Sequence, residues 1–145
     1  MGEALRMEQD FNGAKVALFI GDKLLVILRD DDPAIPFPNL WDFPGGGREG
    51  DETSFETLVR EVREEVGLEL PRSAVIWEKA FPWSQDARQS IWFFVARLPD
   101  GTENDIVFGN EGQRWDLMAP DAFLACARTV PSLASRLQSW MSQAA

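Results

Sequence analysis

Three glutamates, Glu61, Glu64 and Glu65, are spaced so that they could act together on one ligand. On an α-helix, positions i, i+3 and i+4 share one face, so the three carboxylates would be presented side by side. Like charges at this spacing destabilise a helix and raise one another's pKa. A divalent cation such as Mg²⁺, which prefers hard oxygen ligands, offsets that repulsion. The spacing predicts a cation site; the alternative is a solvated helix face that Arg60 and Arg63 partly neutralise.

The segment before this helix is unusually rich in glycine, since Pro44 is followed by Gly45, Gly46 and Gly47. Glycine permits unusual backbone angles and close approach of main-chain atoms. We therefore expect carbonyl and amide groups to lie beside the N-terminal region of the helix. An ordinary surface helix does not need such a loop, and this favours the cation site over the solvated face.

Composition restricts the chemistry and the partners. The chain has 145 residues, a net charge of −10 and no histidine, so acid–base work would fall to carboxylates or to metal-bound water. The negative field disfavours a nucleic-acid polymer or a membrane surface as partner, and a small anionic substrate would need a cation as intermediary. The first apolar run, residues 16–20, is too short for a signal core or a membrane span. With the single cysteine Cys126, these features favour a cytoplasmic protein of one domain.

The elements that must position these groups can be read from the hydrophobic pattern. Apolar residues recur at helical spacing over 53–66, and Gly67 supplies the stop. Three prolines exclude regular structure from residues 30–39. Other segments are predicted from alternation, turn residues and helical stripes: a hairpin (14–20 and 24–29), a short strand (40–43), a second hairpin (75–83 and 90–98), and helices at 120–127 and around Leu133, Leu137, Trp140 and Met141. This order predicts an α/β sandwich with a mixed sheet.

The charged residues of 46–68 carry a resemblance to a known family. Gly46, Glu52, Arg60 and the run 61–68 match the pattern G-x5-E-x7-R-E-U-x-E-E-x-G-U at every specified position, and this pattern is the Nudix box. The lead-in 41–44 and the segment "FGNEGQRW", 108–115, resemble the MutT branch of that family. The resemblance implies a single Nudix domain over 1–145, with the α/β/α sandwich fold and a mixed β-sheet.

The resemblance also implies an activity, the hydrolysis of a nucleoside diphosphate linked to another group by attack of water on phosphorus, with Mg²⁺ or Mn²⁺ as cofactor. Residues carried over by position fall into two roles. The implied metal ligands are Glu61, Glu64, Glu65 and the carbonyl of Gly45, and the implied supporting residues are Glu52 and Arg60. Glu111, in the "EGQ" segment, is implied as a further metal ligand or as the general base; its alternative is a turn residue. Whether Glu61 or Glu111 takes the proton stays open.

The substrate is less sharply indicated. Arg29 resembles an arginine that contacts substrate phosphate in the MutT branch, and its alternative is a surface strand end. Among many aromatic residues, Phe81 and Trp83 are candidates for stacking on a base, against core packing as the alternative. The branch acting on 8-oxo-dGTP reads the purine with an asparagine shortly before a proline, whereas this chain has Thr129 before Val130 and Pro131. Specificity for oxidised guanine is therefore not implied.

Three functions stay in competition. The first is a MutT-like nucleoside triphosphate pyrophosphohydrolase that releases a nucleoside monophosphate and pyrophosphate. The second is hydrolysis of another nucleotide diphosphate, such as a dinucleotide or a nucleotide sugar, and the third is a module that senses a nucleotide without turnover. The intact glutamates disfavour the third. The expected partner is a small-molecule nucleotide, and the protein would be a monomer or a homodimer.

Overall fold

The computed structural model describes residues 10–83 and 85–144. Seven strands and three α-helices follow one another along this part of the chain. Their bounds are β1 Phe11–Ile20, β2 Lys23–Leu28, β3 Trp41–Asp42, β4 Gly45–Gly47, α1 Ser54–Val66, β5 Val75–Pro82, β6 Ser90–Leu98, β7 Arg114–Met118, α2 Pro120–Ala125 and α3 Leu133–Ala144.

The strands form one mixed sheet in the order β3-β2-β1-β6-β5, with β4 also paired to β1 and β7 to β2. β1 and β6 run parallel, and their register places Lys15 opposite Phe93. The other strand pairs are antiparallel. The predicted mixed sheet is therefore confirmed.

Alternation along β1 divides the core into two layers, because successive side chains of a strand point to opposite faces of the sheet. Val16, Leu18 and Ile20 pack with the buried stripe of α1. Ala17 and Phe19 pack on the other face, with residues from α2 and α3 that include Phe123, Leu133 and Leu137. The sheet is thus covered by helices on both faces, which confirms the predicted α/β/α sandwich.

The helix α1 begins and ends where its sequence indicates. The hydroxyl of Thr53 accepts a hydrogen bond from the Glu56 amide, and the Glu56 carboxylate accepts one from the Thr53 amide, which completes a capping box. Gly67 ends the helix in the left-handed region with φ of 68°. Leu58, Val62 and Val66 are fully buried against the sheet. The opposite side of the helix is therefore available for the glutamates.

Most predicted segments are found close to their predicted bounds, with three differences. The strand at 40–43 is only Trp41–Asp42, and the helix predicted at 120–127 ends at Ala125. Two strands, β4 and β7, were not predicted. β4 consists of three glycines, a residue depleted in strands, and β7 is short and carries charged residues. The predicted single domain includes residues 1–9, which lie outside the described residues.

No helix within the described ranges is both long and apolar enough to cross a membrane.

Candidate active site

The glycine segment lies against the acidic helix, but not at the helix N-terminal region as expected. Gly45–Gly47 pairs with β1 as a strand, and its contacts are to Glu61 and Glu65 in the middle and last turn of α1. The Gly45 amide donates to Glu65 Oε1 at 2.8 Å. The expectation was wrong because the glycines extend along β1, which carries them past the first turn of the helix.

Side chains are excluded at two of these glycines. A Cβ at Gly46 would lie 2.6 Å from the carboxyl carbon of Glu61, and a Cβ at Gly45 would lie 2.1 Å from the Ala14 carbonyl oxygen. Gly45 also has a φ of +134°, a conformation that other residues rarely adopt. The glycines therefore allow the main chain to approach two carboxylates of α1 directly.

Arg60 is the centre of the acidic network. Its Nε and Nη2 donate to the two carboxylate oxygens of Glu52 at 2.8 and 3.1 Å, and its Nη1 lies 3.0 Å from Glu61 Oε1 and 3.4 Å from Glu64 Oε2. Nη2 also donates to the Gly47 carbonyl at 2.8 Å. The guanidinium holds the pKa of Glu52 down at about 2, and the glutamates raise the pKa of Arg60. Nη1 also lies 3.1 Å from Glu49 Oε2, so one cation joins four glutamates to the glycine strand.

Glu61 and Glu65 are partly buried. Burial raises the pKa of Glu65 to about 8, against the opposing effects of the Lys15 charge and the Gly45 amide. Burial also raises the pKa of Glu61, and its hydrogen bond and charge interaction with Arg60 oppose that rise. A carboxyl group with so high a pKa in the metal-free protein is a common mark of a functional site, although structural networks also produce it.

The loop that carries Glu111 is docked on the end of α1. The amides of Val107 and Gly109 donate to the carbonyls of Val66 and Glu65 at 3.0 and 2.9 Å, which satisfies two helix-end carbonyls. A Cβ at Gly109 would lie 2.4 Å from the Glu64 carbonyl oxygen, so this close approach requires glycine. The docking brings Glu111 beside the acidic helix, in a cavity wall that it shares with Glu64 and Glu65.

Two neighbouring cavities are lined by these residues. The larger, of about 310 Å³, is lined by Arg29, Asp30, Asp42, Glu65, Glu111 and Gly112 with an apolar wall of Ile27 and Ile35. The smaller, of about 270 Å³, is lined by Glu64, Glu65, Asn110 and Glu111. Glu65 and Glu111 line both, so the structure brings together at one place four of the residues singled out in the sequence, Arg29, Glu64, Glu65 and Glu111.

Arg29 is fixed on the wall of the larger cavity. Its Nη1 donates to Asp42 Oδ2 at 3.1 Å, and its Nε donates to the Pro36 carbonyl at 3.0 Å. Asp42 is itself buried, with 5% of its surface exposed. The guanidinium therefore lies in the cavity in a defined orientation.

The two aromatic candidates lie elsewhere. Phe81 packs edge-on against Phe93 in the core layer beneath α3, and Arg136 lies over its ring. Trp83 follows β5 at the edge strand of the sheet, and its amide donates to the Gln89 carbonyl. Neither residue is among those that line the two cavities. The structure therefore places Phe81 in a packing role and separates both aromatics from the acidic cavities.

Two residues of the site were missed at the level of sequence, Lys15 and Asp42. The Lys15 ammonium lies 2.9 Å from Asp42 Oδ2 and 3.3 Å from the carbonyl oxygens of both Phe43 and Gly45. Lys15 could have been found in the sequence as a single charged residue within the apolar run of β1. Lysine is rarely buried without a partner, so its presence there indicates a nearby acidic group.

The acidic side chains of the site do not converge on one point in the described part of the chain. Among residues 10–83 and 85–144, no group of three or more acidic, histidine or cysteine side chains is placed to hold a metal ion. Arg60 and Lys15 act as counterions to these carboxylates, Arg60 by direct contact with Glu61 and Glu64 and Lys15 by its charge interaction with Glu61 and Glu65. The repulsion expected among the glutamates is present, since the charge of Glu64 raises the pKa of Glu61 and the charge of Glu61 raises the pKa of Glu65, while Arg60 and Lys15 offset part of it.

The donor set nevertheless suits a hard divalent cation. The side chains of Glu61, Glu64, Glu65 and Glu111 and the carbonyl of Gly45 offer only oxygen ligands, and the glycine strand keeps the space beside Glu61 narrow. Arg63 does not neutralise the glutamates of the site, because it forms an ion pair with Glu69. The residues present therefore fit Mg²⁺ or Mn²⁺ by their chemistry.

Comparison with known proteins shows the family. A model of the NUDIX domain matches residues 12–139, so the chain belongs to the Nudix family. Among relatives, the 8-oxo-dGTP diphosphatase of Escherichia coli K12 is 33% identical over 81 residues, which is 56% of this chain and 59% of that protein. The m7GpppN-mRNA hydrolase NUDT17 of Bos taurus is 36% identical over 76 residues, 48% of this chain and 25% of that protein.

The fold is shared along nearly the whole chain. The crystal structure of a MutT protein from Methanosarcina mazei Go1 superposes with a TM-score of 0.73 at 16% identity, covering 94% of this chain and 97% of that one. The two curated relatives are matched over less than two thirds of their own lengths. Members of the Nudix family generally use divalent metal ions.

Proposed function

We propose that this protein is a divalent-metal-dependent pyrophosphohydrolase of the MutT type, which converts a nucleoside triphosphate and water to a nucleoside monophosphate and pyrophosphate. The observation that carries the proposal is that Glu64, Glu65 and Glu111 line one cavity that adjoins the cavity holding Arg29. Carboxylates for a cation and a guanidinium for phosphate thus lie within one site.

The chemistry requires one bond to form and one to break. The oxygen of water bonds to a phosphorus atom, the bridging phosphorus–oxygen bond breaks, and the proton of the water passes to a carboxylate. Glu61 and Glu111 are the two candidates for that base. Mg²⁺ or Mn²⁺, held by Glu61, Glu64, Glu65, Glu111 and the Gly45 carbonyl, would neutralise phosphate oxygens and acidify the attacking water.

The remaining site residues orient the carboxylates and the substrate. Arg60, fixed by Glu52 on one side, holds Glu61 and Glu64 in place through charge-assisted hydrogen bonds. Arg29 binds a substrate phosphate from the wall of the larger cavity. Ile27 and Ile35 supply the apolar wall there, and we expect the nucleoside to contact them.

A panel of nucleotides tests this function. The protein is incubated with Mg²⁺ or Mn²⁺ and nucleoside triphosphates, 8-oxo-dGTP, an m7GpppN cap, a dinucleotide and a nucleotide sugar, in ¹⁸O-labelled water, and products are identified by mass spectrometry. We expect a monophosphate and pyrophosphate from a triphosphate. Preferred turnover of a dinucleotide or nucleotide sugar would establish the second function, and tight binding without any turnover would establish the sensor.

Glu111→Gln links the activity to the site. Because Glu111 lies on an exposed loop, we expect its loss to lower kcat roughly 10²-fold or more while leaving stability within about 0.5 kcal/mol. Glu69→Gln is the matched control, since Glu69 is an exposed carboxylate that pairs with Arg63 outside the site. Wild-type rates in Glu111→Gln would remove this residue from the mechanism.

The setting we propose is the cytoplasm, with a small nucleotide as substrate. The net charge of −10 disfavours a nucleic-acid polymer or an anionic membrane as partner. A monomer and a homodimer stay as alternatives, which light scattering of the purified protein distinguishes.

A further inference from the structure

We propose that Lys15 is a built-in counterion of the metal site, which stabilises the metal-free fold and weakens the binding of the divalent cation beside Gly45. This inference rests on the metal site of the proposed function.

The contacts of Lys15 place a positive charge on a predicted metal ligand. Its ammonium has three donors, and three oxygen atoms lie around it: Asp42 Oδ2 at 2.9 Å and the carbonyls of Phe43 and Gly45 at 3.3 Å each. The Gly45 carbonyl is the main-chain ligand that the resemblance to the Nudix box implies for the metal. A dication bound to that carbonyl would therefore lie close to an ammonium group, and the two charges would repel each other.

Lys15 also acts on the glutamates of the site. Its charge interacts favourably with the ionised forms of Glu61 and Glu65, which are partly buried carboxylates of α1. In the metal-free protein this interaction offsets part of the cost of ionising them in the fold. Once a dication binds the same carboxylates, the lysine charge is no longer needed and opposes the bound ion.

The position of Lys15 in the fold is otherwise costly. β1 is a central strand paired with both β4 and β6, and nearly all of its other side chains are buried. A lysine in such a strand is disfavoured unless its charge is paired. Asp42 alone does not require it, since Arg29 also binds Asp42 Oδ2 at 3.1 Å. The contact with the glycine strand and the charge interaction with Glu61 and Glu65 therefore explain Lys15 better than a need to neutralise Asp42.

The test removes the charge in two ways. Lys15→Met removes the charge and the donors, whereas Lys15→Gln removes the charge and keeps an amide that can donate to Asp42 or a carbonyl. Lys15→Arg keeps the charge. Lys23→Met is the matched control, since Lys23 begins β2 as an exposed residue. Retention of the Asp42–Arg29 pair favours folding of the neutral variants, and Lys15→Gln provides a second measurement if Lys15→Met does not fold.

Two quantities are measured without nucleotide or turnover. The dissociation constant for Mn²⁺, from electron paramagnetic resonance of the free ion, should fall at least roughly tenfold in Lys15→Met and Lys15→Gln, because a nearby positive charge is gone. The melting temperature in EDTA should fall in both variants, and saturating Mn²⁺ should close the gap to the wild type. Lys15→Arg and Lys23→Met should keep the wild-type Mn²⁺ affinity.

Unchanged or weaker Mn²⁺ binding in both neutral variants would overturn the inference, as would a failure of every protein in the series to bind Mn²⁺. Tighter binding in the neutral variants together with no hydrolysis of any nucleotide by the wild type would support the counterion role and reject the proposed activity. The two proposals can therefore fail separately.

Discussion

Replacing Glu65 with glutamine should stabilise the metal-free protein, although the residue belongs to the proposed catalytic site. Burial raises the pKa of Glu65 from 4.5 to about 8. At pH 7 this carboxyl group is ionised in the unfolded chain and largely protonated in the folded one, so folding must take up a proton. Glutamine is neutral in both states and its side-chain oxygen can still accept the Gly45 amide hydrogen bond.

The magnitude follows from the difference between the solution pH and the unfolded pKa. pH 7 lies about 2.5 units above 4.5, and each unit is worth about 1.4 kcal/mol, so proton uptake costs about 3 kcal/mol. The glutamine amide is also removed from water, which offsets part of the gain. We expect Glu65→Gln to raise the free energy of unfolding at pH 7 by about 1–3 kcal/mol, or roughly 2–10 °C in melting temperature.

The sign depends on pH in a defined way. The folded pKa of Glu65 is above the unfolded value, so the stability that this group contributes is fully present below pH 4.5 and is lost as pH rises to about 8. The advantage of Glu65→Gln should therefore be small at pH 4.5, grow through neutral pH and level off above pH 8.

Urea unfolding in EDTA, followed by tryptophan fluorescence, measures the effect at several pH values, and the six tryptophans of the chain supply the signal. Glu69→Gln is the control, because the exposed ion pair with Arg63 lowers the pKa of Glu69 and the sign is opposite. A Glu65→Gln protein that is less stable than the wild type at pH 7, or an advantage that does not change between pH 4.5 and 8, would refute the reasoning.

Two further variants test the network around the site. Arg60→Ala should lower the free energy of unfolding by about 1–2 kcal/mol at pH 7, since solvent screens part of its interaction with Glu52. The loss should shrink as pH falls from 4.5 towards 2, because the pKa of Glu52 is lowered to about 2 and its contribution disappears on protonation. Urea unfolding at both ends of that range measures the effect, and a pH-independent loss would contradict the assignment. Gly46→Ala should lower the rate of hydrolysis roughly tenfold or more, because the added Cβ displaces the Glu61 carboxylate. Gly47→Ala is the control and should keep the wild-type rate, since a Cβ there meets only one atom, at 4.0 Å. Equal rates in the two variants would show that the close approach of Gly46 to Glu61 has no role.

The sequence could predict what depends on local pattern. The bounds of α1 follow from the Thr53 cap, the apolar stripe and the Gly67 stop, all of which act within the helix itself. The hairpin of β1 and β2 follows in the same way from two apolar runs and a turn at Gly21. β4 was missed because glycine carries no strand preference, and its pairing with β1 depends on residues 30 to 34 positions away.

Part of the candidate site was also accessible from sequence. The resemblance of residues 46–68 to the box implied Arg60 and Glu52 as supporting residues, and the structure shows Arg60 in contact with Glu52 and Glu61 at 2.8 and 3.0 Å. The direction of the glycine segment, the packing of Phe81 and the contribution of Lys15 could not be predicted. Each depends on which strands become neighbours, and the hydrophobic pattern contains that information only weakly.

The amino-acid sequence by itself determined the helix, its acidic face and the oxygen ligands that suit a hard cation, because helical periodicity and carboxylate chemistry are local properties. Tertiary structure alone decided what surrounds those carboxylates. The pairing of β4 with β1 brings Gly45, Lys15 and Glu65 together from three separate segments, and the docking of the 107–112 loop on α1 adds Glu111. The charge balance of the site therefore results from long-range strand pairing, which no short window of sequence contains.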